Sequence, residues 1–251
     1  MTTVHPDYEH LRPFIGQLPS LFMSEGELVY RKRNIVKRFV APDGTVLVVK
    51  RYKYPNLIQR VAYGYYRPSK ARRSYDYALR LLDLGIDTPL PIACIEQYGR
   101  CHLFTYGYFV SAENNNPSLK ALLQPDCDDR SALALQFATF LVSLHEKGFL
   151  HGDTNLSNFL YERQSDGTYH FSVIDINRSH FVSPPVPRRT CLQNLMRLTH
   201  DVPTLSYLVG IYAHLRGWDP VEASNSVCAQ LRKFERKKRL KHRVKRLKVN
   251  N

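Results

Sequence analysis

Several things are scarce in this chain. Five cysteines (Cys94, Cys101, Cys127, Cys191, Cys228) are scattered among 251 residues with no Cys-x-x-Cys pair, so neither a disulfide framework nor a zinc site is indicated, and a reducing, cytoplasmic setting fits. Long apolar runs are missing too. The longest uncharged stretch that looks apolar, Ser131 to Leu144, has only 14 residues, short of the roughly 20 that a membrane-crossing helix needs. The N-terminus, Met1 to His10, has no basic region leading into an apolar run, so no signal peptide is read there. Acids are outnumbered, 22 Asp+Glu against 36 Lys+Arg, for a net charge of +14. The excess is local. Leu231 to Asn251 holds eleven Lys/Arg and one acid, Glu235, leaving a near-neutral body followed by a basic tail.

Hydrophobic residues at 43% and charged residues at 23% describe a globular chain long enough for one large domain or two lobes. Glu27 to Val40 and Thr45 to Tyr52 are β-rich runs joined by the turn signal Ala41-Pro42-Asp43-Gly44. Ser69 to Leu84 has a helical stripe stopped by Gly85, and Ile92 to Glu96 and His102 to Val110 read as two further strands. Polar, structure-breaking Ser111 to Pro117 marks a lobe boundary. Beyond it, Arg130 to Lys147 reads as a helix capped by Asp128 or Asp129 and ended by Gly148. A hairpin follows, Phe159 to Arg163 and Tyr169 to Ile174, and then helices at about Cys191 to Thr199 and Thr204 to Leu215. Three regions result: 1–111 β-rich, 112–230 mostly helical, and 231–251 basic and amphipathic.

The chemistry concentrates in His151-Gly152-Asp153-Thr154-Asn155-Leu156-Ser157-Asn158 and in Asp175. Asn158 precedes the first hairpin strand and Asp175 follows the second, so antiparallel pairing is expected to bring them to one end of the hairpin, with Asp153 a short loop away. Two acids and an amide oxygen there suit Mg²⁺, a hard ion that prefers oxygen ligands and phosphate. Upstream, Val46-Leu47-Val48-Val49-Lys50 is an apolar strand ending in a lysine.

This set resembles the protein-kinase-like superfamily, with Lys50 as the strand lysine, His-Gly-Asp-x-x-x-x-Asn as the catalytic loop and Ile174-Asp175-Ile176-Asn177 in place of Asp-Phe-Gly. Arg67-Pro68-Ser69-Lys70-Ala71-Arg72-Arg73-Ser74-Tyr75, Leu84-Gly85-Ile86-Asp87-Thr88-Pro89, Leu144-His145-Glu146-Lys147-Gly148 and Ile174 to Arg178 are similar to the lipopolysaccharide core (Kdo/heptose) kinase family, from about Leu28 to Gly217. The resemblance implies an α+β, bilobal protein-kinase-like fold with a small β-rich nucleotide-binding N-lobe and a mostly helical catalytic C-lobe. It also implies an ATP- and Mg-dependent kinase of an inner-core sugar hydroxyl. In it Asp153 is the base or orienter, Asn158 and Asp175 hold the metal, and Lys50 contacts the nucleotide phosphates. Its partners would be ATP and a lipopolysaccharide core sugar or lipid-linked precursor. It would work in the cytoplasm, peripheral at the inner face of the inner membrane, with the basic tail on the anionic surface.

The departures from that pattern are as informative. Gly16, Gly26 and Gly44 are too far apart for a glycine-rich phosphate lid, and Tyr30-Arg31-Lys32-Arg33-Asn34 offers side-chain charge instead, or else a solvated hairpin tip. The helix expected to present a Glu to Lys50 has none; Asp76 is its nearest acid and takes that place in the nucleotide site. Asn155 stands where many protein kinases carry a lysine, and Arg178 is an alternative source of that charge. Gly152 and the lack of Ala-Pro-Glu argue against a peptide substrate. Two other readings remain: a catalytically inactive pseudokinase scaffold, and a nucleic-acid-binding protein built on the tail and on Arg51 to Arg73, which has seven Lys/Arg, no acid and five interleaved tyrosines. Retention of Lys50, Asp153, Asn158 and Asp175 together disfavours the scaffold, and nucleic acid is the less expected partner.

Overall fold

The structure, a computed structural model, describes residues 1–124 and 126–247, with side chains as far as 240. Contacts divide the chain into two units, Met1–Asn115 with Val173–Arg178, and Asn116–Ser172 with the chain from Ser179 onward. The short excursion Val173–Arg178, which contains Asp175, therefore belongs with the first unit.

The first unit is built on a six-stranded antiparallel sheet. Its strands are β1 (Thr2–Val4), β2 (Glu27–Arg31), β3 (Ile35–Val40), β4 (Val46–Arg51), β5 (Pro91–Tyr98) and β6 (Phe104–Ala112), in the order β1-β5-β6-β4-β3-β2. The run Glu27 to Val40 is thus two strands, broken at Lys32–Asn34 where the Lys32 N–H donates to the Asn34 carbonyl at 3.1 Å. Successive strand residues face opposite sides of a sheet. In β4, Leu47 and Val49 are wholly buried with Ile15, Leu18 and Phe22 of α1 (Arg12–Ser24). By the same alternation Val48, Lys50 and Tyr52 face the other side, where Tyr52 packs with Ala71 and Tyr75 of α3 (Lys70–Asp83). Between β4 and α3 lie α2 (Leu57–Val61) and a π-helical turn, Ala62–Tyr66. Ser69 caps α3 by accepting from the Arg72 N–H at 3.1 Å, and Gly85, at φ +62°, ends it as expected.

The second unit is mainly helical. It contains α4 (Arg130–Glu146), α5 (Arg188–Leu195), α6 (Val202–Leu215) and α7 (Pro220–Leu247), with α6 packed against both α4 and α7. Two small ribbons complete it: β7 (Phe149–Leu150) with β10 (His180–Phe181), and β8 (Phe159–Arg163) with β9 (Tyr169–Val173). Phe137 on α4 meets the rings of Phe159 and Phe171 at 5.1 and 5.8 Å, fastening the β8–β9 hairpin to the helix. The helix ends at Gly148 because the chain there needs φ +72°, and a Cβ would strike the Val182 carbonyl oxygen.

Two expectations about this unit need correction. Asp129 does stand before α4, but at φ +51° its side chain makes no cap; its carboxylate lies 3.8 Å from Arg163 instead. The basic tail is also not a separate amphipathic element. As far as Leu247 it is the far half of α7, whose residues Ala223, Val227 and Leu231 are buried in the unit's core. Leu231 is only 1% exposed and so packs inside the body, whereas Leu240 is 53% exposed. Of the tail's apolar residues 231, 234, 240, 244 and 247, Phe234 is partly buried, and the side chains of Val244 and Leu247 lie outside the described residues.

Candidate active site

The first unit assembles one part of the site. Lys50 Nζ lies 2.7 Å from Asp175 Oδ1, joining residues 125 apart in sequence, and sits 5.4 Å from the centre of the Tyr52 ring. Burial works against the Lys50 ammonium. Tyr52 and the Asp175 carboxylate outweigh it, and the lysine pKa ends above its ordinary value. Burial also raises the Tyr52 pKa, so the phenol is neutral near pH 7 and Asp175 supplies the negative charge there. Asp175 Oδ1 accepts a second bond, from Asn177 Nδ2 at 2.6 Å. The backbone at Asp175 has φ +57°, a left-handed conformation that costs a non-glycine residue about 1 kcal/mol or more and that Asp and Asn tolerate best. The segment is pinned by the Val173 N–H donating to the Asp87 carbonyl (2.8 Å) and by Thr88 Oγ1 donating to the Val173 carbonyl (2.7 Å).

The expected pairing of Asp76 with Lys50 does not form. Asp76 is half exposed and lies 3.8 Å from Arg72, one turn earlier on α3, while Arg72 also approaches Glu96 of β5 at 3.6 Å. The α3 residue turned toward the Lys50 strand is Ser74, whose hydroxyl is 2.6 Å from the Tyr52 hydroxyl. Ser74 and Tyr75 fill the face that α3 presents to the sheet, which leaves Asp76 on a different face of the helix.

The second unit assembles the other part. The loop from His151 to Asn158 is held by its own polar groups: the Asp153 N–H donates to His151 Nδ1 (3.0 Å), Asn158 Nδ2 donates to the Asp153 carbonyl (2.8 Å), and the Leu156 N–H donates to the Leu198 carbonyl (2.9 Å). Asn155 Oδ1 accepts from the Ser157 N–H and hydroxyl, so that residue shapes the turn. The bond from Asn158 Nδ2 leaves its amide oxygen as the atom available to a cation. The Asp153 carboxylate meets Arg197 Nη2 at 3.0 Å, and Arg197 also donates to the Gly152 carbonyl at 3.3 Å while its guanidinium lies 5.6 Å over Phe234 of α7. Nothing in the spacing of the sequence singled out Arg197; it follows α5 without a motif.

Beneath the loop runs a buried neutral chain. Asn194 Nδ2 donates to the His151 carbonyl (2.8 Å), and Asn194 Oδ1, an acceptor only, lies 3.1 Å from His145 Nε2. Nε2 therefore carries the proton and Nδ1 accepts from the Tyr212 hydroxyl at 2.8 Å. Burial drives the His145 pKa down to about 4, so the ring is neutral near pH 7.

The expected metal ligands Asn158 and Asp175 lie in different units. Their chemistry, a carboxylate and an amide oxygen, is of the kind Mg²⁺ takes. Among the described residues no group of three or more His, Cys, Asp or Glu side chains forms a metal cluster by itself.

A β-sheet unit carrying a paired strand lysine and acid, and a helical unit carrying an Asp-to-Asn loop, define a protein-kinase-like phosphotransferase. Among solved structures the chain is similar to WaaP in complex with acyl carrier protein, at 18% identity and a TM-score of 0.60, over 94% of this chain and 98% of that one. It also matches a Rio2 kinase–ADP/Mg²⁺–phosphoaspartate complex from Chaetomium thermophilum, at 13% identity and a TM-score of 0.49, over 92% and 77% of the two chains. Comparison with curated proteins gives no match. The profile of the lipopolysaccharide kinase (Kdo/WaaP) family matches residues 56–208, and the chain belongs to that family. It is a phosphotransferase with a sugar hydroxyl as acceptor. The α+β, kinase-like fold implied by the resemblance is the one found.

Proposed function

We propose that this protein transfers the γ-phosphoryl group of Mg·ATP to a hydroxyl of a Kdo or heptose residue in the lipopolysaccharide inner core. The observation that carries this reading is the 2.7 Å pair of Lys50 and Asp175, a strand lysine and a loop acid far apart in sequence and joined in the arrangement a phosphate-and-metal site requires. With nucleotide bound, Lys50 would turn from Asp175 to the phosphates, and Asp175 with the Asn158 amide oxygen would hold the magnesium, which neutralises phosphate charge. Asp153 would orient the acceptor hydroxyl and take its proton, with Arg197 setting the direction of its carboxylate. Phosphoryl transfer asks mainly for such positioning and charge neutralisation.

The acceptor is lipid-linked in this reading, and the work is done at the inner face of the inner membrane. Arg236, Lys237, Lys238 and Arg239 of α7, exposed and basic, support contact with an anionic surface. Among the described residues no helix is long and apolar enough to cross a membrane. The nucleic-acid reading loses support because two of its five tyrosines, Tyr52 and Tyr63, are buried and cannot stack bases. The test is phosphoryl transfer from radiolabelled ATP to deep-rough lipopolysaccharide by the purified protein, with the product located by mass spectrometry. Label should enter a core sugar with Mg²⁺ and not with EDTA. Failure to label any core sugar by a protein that still binds ATP would overturn the reading.

A further inference from the structure

We propose that Arg33, Arg67, Lys70, Arg73 and Arg178 form a phosphate-binding site in the first unit, at the start of α3 and beside the Lys50–Asp175 pair.

Three contacts gather the segments that carry these residues. Asn34 Oδ1 accepts from the Lys53 N–H at 3.2 Å, tying the β2–β3 turn to the end of β4. The Tyr52–Ser74 hydroxyl contact at 2.6 Å ties the same strand end to α3. The Lys50–Asp175 pair ties it to the segment that continues into Arg178. On α3, Lys70 and Arg73 are three residues apart and share a face.

The cations gathered there lack counter-charges. Among the described residues none of the five takes part in an ion pair, whereas neighbouring Arg72 has Asp76 and Glu96. Arg73 Nε is shut away from solvent with no hydrogen-bond partner, the state of a donor awaiting an acceptor. The local backbone makes the need larger. The N-terminal end of a helix carries partial positive charge and favours acids, yet the first turn of α3 has none and begins with a lysine. Lys70 registers the result: burial first, then the charges of Arg33, Arg178, Arg73 and Arg67, bring its pKa down to about 8. A merely solvated basic face would show neither a shielded guanidinium nitrogen nor a lysine pKa brought down so far.

An anion with several oxygens satisfies all of these groups at once. Guanidinium forks bond phosphate oxygens in pairs, and each charge-assisted bond is stronger than a neutral one. Two sources share that chemistry: the polyphosphate of the nucleotide, or a phosphate carried by the acceptor glycolipid. Only the choice between them rests on the proposed function.

The test uses the full chain and inorganic pyrophosphate without Mg²⁺, read by calorimetry, so that loss of turnover has no bearing on it. Arg33→Gln and Arg178→Gln change exposed side chains and should fold normally, which thermal melts check. Each, like Lys70→Gln, should weaken pyrophosphate binding about tenfold, the loss of one charged contact, whereas Lys120→Gln in the second unit should not. Pyrophosphate should also raise the Lys70 pKa toward its ordinary value in an NMR titration. Repeating the set with ATP and with a bisphosphorylated glucosamine disaccharide assigns the source: losses confined to ATP mark a donor site, and losses confined to the disaccharide mark an acceptor site. Unchanged pyrophosphate affinity in the well-folded Arg33 and Arg178 variants, or an equal loss in Lys120→Gln, would overturn the proposal.

Discussion

The two acids at the centre of this protein are each met by a cation at similar distance, 2.7 Å for Asp175 with Lys50 and 3.0 Å for Asp153 with Arg197, yet they are positioned by opposite means. Asp175 in the first unit is held by charge and by a left-handed backbone, with one carboxylate oxygen shared between Lys50 and Asn177. Asp153 in the second unit stands on a loop braced by neutral groups, from His151 through Asn194 and His145 to Tyr212. A pair held by charge can be re-partnered when a cation or phosphate arrives. A neutral buried brace changes little with ligand and fixes geometry. The contrast suits a metal-and-phosphate group on one side and a proton acceptor on the other.

The largest expected effect falls on Asp153. Asp153→Asn keeps the loop's shape but removes the charge, and turnover should fall by about 10²–10⁴ with folding intact. Turnover within twofold of the unchanged protein would remove Asp153 from the chemistry.

The neutral brace predicts an acid sensitivity. His145 has an ordinary pKa of 6.5 that drops to about 4 in the fold. The unfolded chain therefore binds more protons between those values, so the contribution is complete above about pH 6.5 and disappears as pH falls toward 4. A shift of this size corresponds to about 3 kcal/mol. The denaturation midpoint measured across this window should drop, and it should drop less in His145→Gln. Equal acid sensitivity in both would show that the brace is not what titrates.

The smallest effect concerns α7. Because Leu231 is buried, a truncation that tests the basic half must spare it. Cutting after Arg239 removes five Lys/Arg and should leave a folded protein that co-sediments with anionic vesicles at least about tenfold less, which needs only one or two of those cations near the surface at roughly 1 kcal/mol each. Binding by the full chain should fade with salt, since screening acts over about 10 Å at 0.1 M. Equal co-sedimentation would place the membrane contact elsewhere.

Much of this was legible in the sequence where a local rule governs. The apolar run Val46 to Lys50 marked β4 and its terminal lysine, and Ser69 and Gly85 bracketed α3. Local rules failed where the fold reaches across distance. The N-terminal segment holds Ile15, Leu18 and Phe22 at helical spacing, but Pro13, Gly16 and Pro19 give α1 the composition of a loop; it forms because those three side chains are buried against the sheet. The break at Lys32–Asn34 has no Gly or Pro to announce it, only the charged run Tyr30 to Asn34, for which a hairpin tip is one of two readings. Asp76 looked like a partner for Lys50 because it was the nearest acid in sequence, but helix geometry turns it to Arg72. Arg197 and the His145 chain belong to tertiary contacts 43 to 67 residues long, beyond any spacing rule.

The central claim is the division of labour between the two acids, and calorimetry of Mg·ATP binding tests it most directly. Asp175→Ala should abolish the Mg²⁺-dependent part of nucleotide binding, while Asp153→Asn should bind Mg·ATP as the unchanged protein does. Undiminished Mg·ATP affinity in Asp175→Ala would contradict the account.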